Sequence, residues 1–141
     1  MAIVGVLETC LYTHDLTAAE AFYAGALGLD VFSRETGRHV FFRCGEGMLL
    51  VFDPARTSTA PGEVAGVAVP AHGTEGAGHM AFRVPESELA DWCARLQAGG
   101  IGIEAEIAWP GGGRSIYVRD PAGNSVELAT GSVWGLESPD R

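Results

Sequence analysis

The chain has 141 residues, 47% of them hydrophobic, with a formal net charge of −9. Length and apolar content fit one domain, residues 1–141, with a real core, and the acidity argues against nucleic-acid binding, because phosphate contacts need a basic surface. No apolar run reaches the roughly 18 residues of a membrane span, the start MAIVGVLETC lacks the pattern of a signal peptide, and three widely spaced cysteines, Cys10, Cys44 and Cys93, point to a reducing, cytoplasmic setting rather than a disulfide framework.

Residues 3–12, IVGVLETCLY, read as a strand rich in β-favouring side chains. A helix follows in HDLTAAEAFYAGALG. Thr17 and Glu20 have capping-box spacing, and Leu16, Phe22, Tyr23 and Ala26 form one apolar stripe. Three short strands come next, LDVFSRE, RHVFFRC and MLLVFD, separated by turn residues. The stretch after them, to residue 78, is dominated by Pro, Gly, Ser and Thr without clear periodicity, and reads as a linker.

The pattern then returns. HMAFRV is a strand with Met80, Phe82 and Val84 on one face and His79, Ala81 and Arg83 on the other. PESELADWCARLQAGG is a helix, with Leu89, Trp92, Cys93 and Leu96 at i, i+3, i+4 and i+7. IGIEAEIAW, RSIYVRD and SVELA are strands again, and DPAGN is a turn in which Gly123 and Asn124 tolerate positive φ. In SVELA, Val126 and Leu128 share one face while Ser125, Glu127 and Ala129 share the other. A carboxylate there is unremarkable if that face meets water, and informative if it lines an enclosed cleft.

The chain is therefore an internal repeat: a first βαβββ unit over 3–53, a linker over 54–78, a second βαβββ unit over 79–130 and a tail over 131–141. The fold class is α+β, with tandem units whose curved mixed sheets form a cleft. Pairing the first strands matches Glu8 with His79. Pairing Gly47 with Gly123 matches Val51 with Glu127.

With LETCLYTHDLTAAEAFYAGALGLDV, GHMAFRVPE and YVRDPAGNSVELA in place, residues 3–130 resemble the vicinal oxygen chelate superfamily, which includes glyoxalase I, fosfomycin resistance proteins, extradiol dioxygenases, methylmalonyl-CoA epimerase and bleomycin resistance proteins. The resemblance implies a glyoxalase-like cleft and a metal ligand seven residues before Asp15, at Glu8. It implies a second ligand at His79 and a third at Glu127. The position of a fourth falls on Val51, which cannot bind a metal. The three-ligand relatives generally use two His and one Glu, whereas this chain offers one His and two Glu.

Two carboxylates and an imidazole suit a divalent ion such as Zn, Ni, Mn, Fe or Co. Three protein ligands leave positions for a small oxygen-rich substrate that chelates the ion. The implied function is lyase, isomerase or dioxygenase chemistry, with Glu8 as a base and Glu127 at the reacting centre. Tyr12, His39, Tyr117 and Arg119 are candidates for substrate contact, while His14 and His72, in loops, are expected to be solvated. The resemblance further implies a homodimer with shared sites. The alternative is a metal-free protein of the bleomycin-resistance type that binds a drug or other small molecule. Apart from either function, the plain structural reading takes Glu8 and Glu127 as solvated strand residues and His79 as a hydrogen-bonded core histidine.

Overall fold

A computed structural model describes residues 1–60 and 62–136. The chain divides into two compact units, Met1–Ala77 and Gly78–Arg141.

The first unit opens with β1 (Glu8–Tyr12), α1 (Leu16–Glu20), β2 (Asp30–Glu35), β3 (His39–Cys44) and β4 (Gly47–Phe52). β1 is shorter than the sequence predicts, because residues before Glu8 lack regular structure, and Ile3, Val4, Val6 and Leu7 are exposed. The helix is capped by Asp15, whose carboxylate accepts from the Ala18 N–H at 2.9 Å, and not by Thr17. It continues as a wider turn over Ala21–Ala26, with Leu27 N–H bonding the Phe22 carbonyl five residues back. Ala19, Phe22, Tyr23 and Leu27 are buried along this segment. The sheet order is β1-β4-β3-β2, with β1 parallel to β4 and the other neighbours antiparallel.

Period-two alternation separates its faces. Leu11, Leu49, Val51, Val40 and Phe42 are buried on one. Glu8, Cys10 and Tyr12 share the other with Met48, Leu50, Phe52, His39, Phe41 and Arg43. At roughly 1.5–3 kcal/mol for each large apolar side chain, the first set supplies the unit's main driving force.

The segment expected to be a bare linker has structure of its own. It holds α2 (Pro54–Thr59), N-capped by Asp53, and a small hairpin of β5 (Glu63–Val64) and β6 (Val67–Ala68). A six-residue helix and two-residue strands are too short to display a hydrophobic period, so composition alone suggests a loop.

The second unit repeats the order: β7 (His79–Arg83), α3 (Leu89–Ala98), β8 (Ala105–Ala108), β9 (Arg114–Arg119) and β10 (Ser125–Ala129). Its sheet order is β7-β10-β9-β8, with β7 parallel to β10. Val126, Leu128, Ile116, Val118 and Phe82 are buried on one face together with Leu89 and Leu96 of the helix. Ser125 and Glu127 fall on the other. A short 3-10 turn, Gly131–Trp134, begins the tail, and its residues from 137 onward lie outside those described.

The register moves one pairing of the repeat. Glu8 lies opposite Met48 and His79 opposite Ser125, so the counterpart of Glu127 is Leu50 and not Val51. Val51 is 1% exposed and faces the core.

Candidate functional site

His79 begins β7, and Glu127 lies two residues past its partner Ser125 on β10. The His79 Nδ1 lies 3.0 Å from the Ser125 carbonyl oxygen. A carbonyl only accepts, so Nδ1 carries a proton and the second nitrogen, Nε2, is the free one. Nε2 lies 3.4 Å from Glu127 Oε2. A neutral imidazole would set a lone pair against a carboxylate at that distance, so either a further proton or a cation belongs between them. Two ligands bound at about 2.1 Å to one ion stand roughly 3.0–3.4 Å apart, so the separation fits a shared metal. Glu127 is only 7% exposed. A buried carboxylate is costly without a positive partner.

The DPAGN turn holds this pair in place. Gly123 has φ +85, which a side chain would strain. The buried Asp120 carboxylate accepts from the Ala122 N–H at 2.9 Å, the Asn124 N–H at 2.8 Å and the Asn124 Nδ2 at 2.8 Å. Asn124 Oδ1 then accepts from the Gly78 N–H at 2.7 Å, beside His79. Asn124 is 2% exposed, and the sequence reading assigns it no part in the site. Its place after Gly123 in the turn is the one signal that points to it.

Tyr117 pairs with Glu127 across β9 and β10, and its ring stacks on that of His79 with centroids 6.4 Å apart. Burial, then the Glu127 carboxylate, raises its phenol pKa. Arg119 is already committed. Its Nη2 donates to Glu104 Oε1 at 2.9 Å and its Nη1 to the Gly123 carbonyl at 3.2 Å.

In the first unit, Glu8 is exposed at the start of β1 and on the same face as Cys10 and Tyr12. Burial first, and Glu8 second, raise the Cys10 thiol pKa. His39 shares this face, as its alternation with Phe41 predicts. It stacks on Phe41 with centroids 3.9 Å apart, and burial lowers its pKa. Its Nδ1 is buried without a hydrogen bond, 3.8 Å from Glu35 Oε2. His14 is exposed in its loop as expected, whereas His72 is not. His72 is half-buried, with Nδ1 2.7 Å from the Tyr12 hydroxyl. His14, though exposed, has Nδ1 3.1 Å from Asp53 Oδ1 and Nε2 3.1 Å from Glu75 Oε2.

The structure thus brings His79, Glu127 and Tyr117 together in the second unit, and Glu8, Cys10 and Tyr12 along one strand of the first. Among the described residues, no group of three or more His, Cys, Asp or Glu side chains is arranged to hold a metal ion. A recess of about 400 Å³ lies elsewhere, lined by Leu89, Cys93, Glu106, Arg114 and Ile116. It sits on the helix-covered face of the second sheet, away from Glu127, and lacks the chemistry of the His79–Glu127 pair. No helix among the described residues is long and apolar enough to cross a membrane.

Comparison with known proteins supplies the family. The chain is similar to a crystal structure of lactoylglutathione lyase from Agrobacterium tumefaciens, with 43% identity, a TM-score of 0.89, and coverage of 96% of this chain and 100% of that one. It is also similar to a glyoxalase/bleomycin resistance protein/dioxygenase from Nocardioides, at 27% identity and TM-score 0.69, covering 92% and 85% of the two chains. A glyoxalase-related enzyme from Fulvimarina pelagi matches at 28% identity and TM-score 0.68, covering 91% and 88%. No curated protein sequence matches the chain. Residues 5–128 match the family model of this group, and the protein belongs to the Glyoxalase/Bleomycin resistance protein/Dioxygenase superfamily.

Proposed function

We propose that the protein is a divalent-metal-dependent enzyme of lyase or isomerase type, with Glu8, His79 and Glu127 as metal ligands and a small, oxygen-rich substrate that chelates the ion. The observation that carries this reading is the His79–Glu127 pair: an imidazole whose Nδ1 is bound to the Ser125 carbonyl, with Nε2 3.4 Å from a buried carboxylate oxygen. Similarity to a protein named lactoylglutathione lyase favours lyase chemistry over dioxygenation.

The residues have distinct tasks. The Ser125 carbonyl fixes the His79 tautomer and ring direction, as outer partners of metal-bound imidazoles do. Glu127, buried and flanked by Tyr117, supplies a fixed negative charge. Glu8, exposed at its strand end, is the carboxylate with freedom to release a ligand position and accept a substrate proton. A bound divalent ion would supply Lewis-acid stabilisation of developing negative charge on the substrate oxygens. We further propose that the working unit is a homodimer whose sites are shared between protomers.

Metal analysis of protein purified without chelator tests the reading, before and after addition of Mn²⁺, Ni²⁺ or Zn²⁺. Near-stoichiometric metal is expected. His79→Ala and Glu127→Ala should each lower occupancy at least about tenfold, comparable to losses seen when outer partners of ligands are removed. No metal under any of these conditions would favour the metal-free binding protein.

A further inference from the structure

We infer that His72 is a specificity-determining residue: it walls off the far end of the sheet face that carries Glu8, so the substrate has only a short apolar body beyond its chelating oxygens. The inference deepens the proposed function and rests on its placement of the chelating oxygens beside Glu8.

The register of the first sheet arranges its free face in three rows. Glu8, Met48 and Arg43 form the first; Cys10, Leu50 and Phe41 the second; Tyr12, Phe52 and His39 the third. At about 3.3 Å per residue, the first and third rows are roughly 13 Å apart. The third row is closed by the segment after β6. The His72 ring meets Phe52 edge to face, with centroids 4.9 Å apart, and its Nδ1 lies 2.7 Å from the Tyr12 hydroxyl oxygen. Phe52 is 8% exposed although it lies outside the helix-covered core, as is Leu50 in the second row.

His72 is held there from several sides. Its backbone N–H donates to the Thr57 carbonyl at 3.1 Å. The next residue, Gly73, has φ +147, and a Cβ on it would come within 3.2 Å of the Pro54 carbonyl oxygen and 3.3 Å of Thr57 Oγ1. Only glycine lets the segment lie this close to α2. Two residues further on, Glu75 reaches His14. The wall is therefore a built part of the unit.

What remains of the face is the row of Glu8 and the apolar row of Cys10, Leu50 and Phe41. A ligand held by its oxygens beside Glu8 has about 10 Å before it meets the His72 ring. That accommodates an extended aliphatic body of up to about seven carbons and excludes a longer chain in this direction.

Alkyl hydroxamates, which chelate through neighbouring oxygens, are the probe. The dissociation constants of acetohydroxamate and dodecanohydroxamate are measured on Ni²⁺-loaded protein. Wild type should discriminate against the longer chain. His72→Gly should tighten dodecanohydroxamate at least about tenfold, the scale expected when a pocket admits further methylenes, with acetohydroxamate unchanged. His72→Leu refills the space and should restore the wild-type ratio. An unchanged ratio in His72→Gly overturns the inference. If acetohydroxamate fails to bind wild type, the chelation reading fails, and the wall is judged without metal by Cys10 modification in a Cys44→Ser, Cys93→Ser background. His72→Gly must then raise the rate with hexyl methanethiosulfonate relative to the methyl reagent, and an unchanged ratio again overturns the wall.

Discussion

Leu50 holds, in the first unit, the register position that Glu127 holds in the second. The two units share a sheet plan but differ in chemistry, since one presents a carboxylate where the other presents an alkyl group. Val51, one residue on, belongs to the core. The consequence is a contrast between adjacent substitutions. Val51→Glu buries an unpaired charge in the helix-covered layer and should cost several kcal/mol, with no recovery on adding metal. Leu50→Glu places its carboxylate on the Glu8 face. It should cost less, and divalent metal should raise its melting temperature more than it raises that of wild type. Thermal melts with and without Mn²⁺ check both, and equal behaviour of the two variants would contradict the register.

The amino-acid sequence carries much of this arrangement, and what it conceals has physical causes. Strand alternation places His79 and Glu127 on the free faces of β7 and β10, because period two survives even in five-residue strands. The Leu50 correspondence is hidden because pairing Gly47 with Gly123 aligns two glycines that serve different needs. Gly47 lies in β4, where a Cβ would come within 2.8 Å of the Leu7 carbonyl oxygen, whereas Gly123 supplies a positive φ in a turn. The docking of His72 is illegible in the sequence because Tyr12 and His72 are 60 residues apart and no local pattern joins them.

The DPAGN turn should act on the site as well as on stability. Asn124→Ala removes the amide donor to Asp120 Oδ2 and the acceptor of the Gly78 N–H, and should cost about 1–3 kcal/mol. It frees the backbone beside His79, so metal affinity should fall although no ligand is changed. Gly123→Val, forced into positive φ, should cost a similar 1–3 kcal/mol. Urea melts and metal titrations read both effects. Unchanged metal affinity in a folded Asn124→Ala protein would show that the turn does not position His79.

The clasp at His14 should depend on pH. Its two ring nitrogens face Glu75 and Asp53, and hydrogen bonding to Glu75, then its charge, raises the His14 pKa above the ordinary 6.5. A raised folded-state pKa stabilises the clasp fully below the unfolded value. That contribution fades as pH rises through the folded value, so the transition lies above pH 6.5. Proteolysis of the segment between β6 and β7 should therefore quicken across that window. His14→Gln should abolish the step, and an identical profile in that variant would remove His14 as its origin.

The shared-site dimer makes the most discriminating prediction. A βαβββ sheet has one face covered by its helix and one left free. In the proposed dimer, Glu8 of one protomer joins His79 and Glu127 of the other, and two-fold symmetry makes two equivalent sites. Glu8→Ala and His79→Ala homodimers should both be impaired in metal binding, each having one ligand missing from every site. In a heterodimer of the two, both lesions fall in one site, and the second has Glu8, His79 and Glu127 intact. Random reassortment makes about half of the dimers mixed, so roughly a quarter of all sites should regain full affinity. Differently tagged variants, co-refolded and purified through both tags, raise that to half of the sites. Metal titration of the doubly purified species should then show one tight and one weak site per dimer. A mixed dimer with two weak sites would mean that all three ligands come from a single chain.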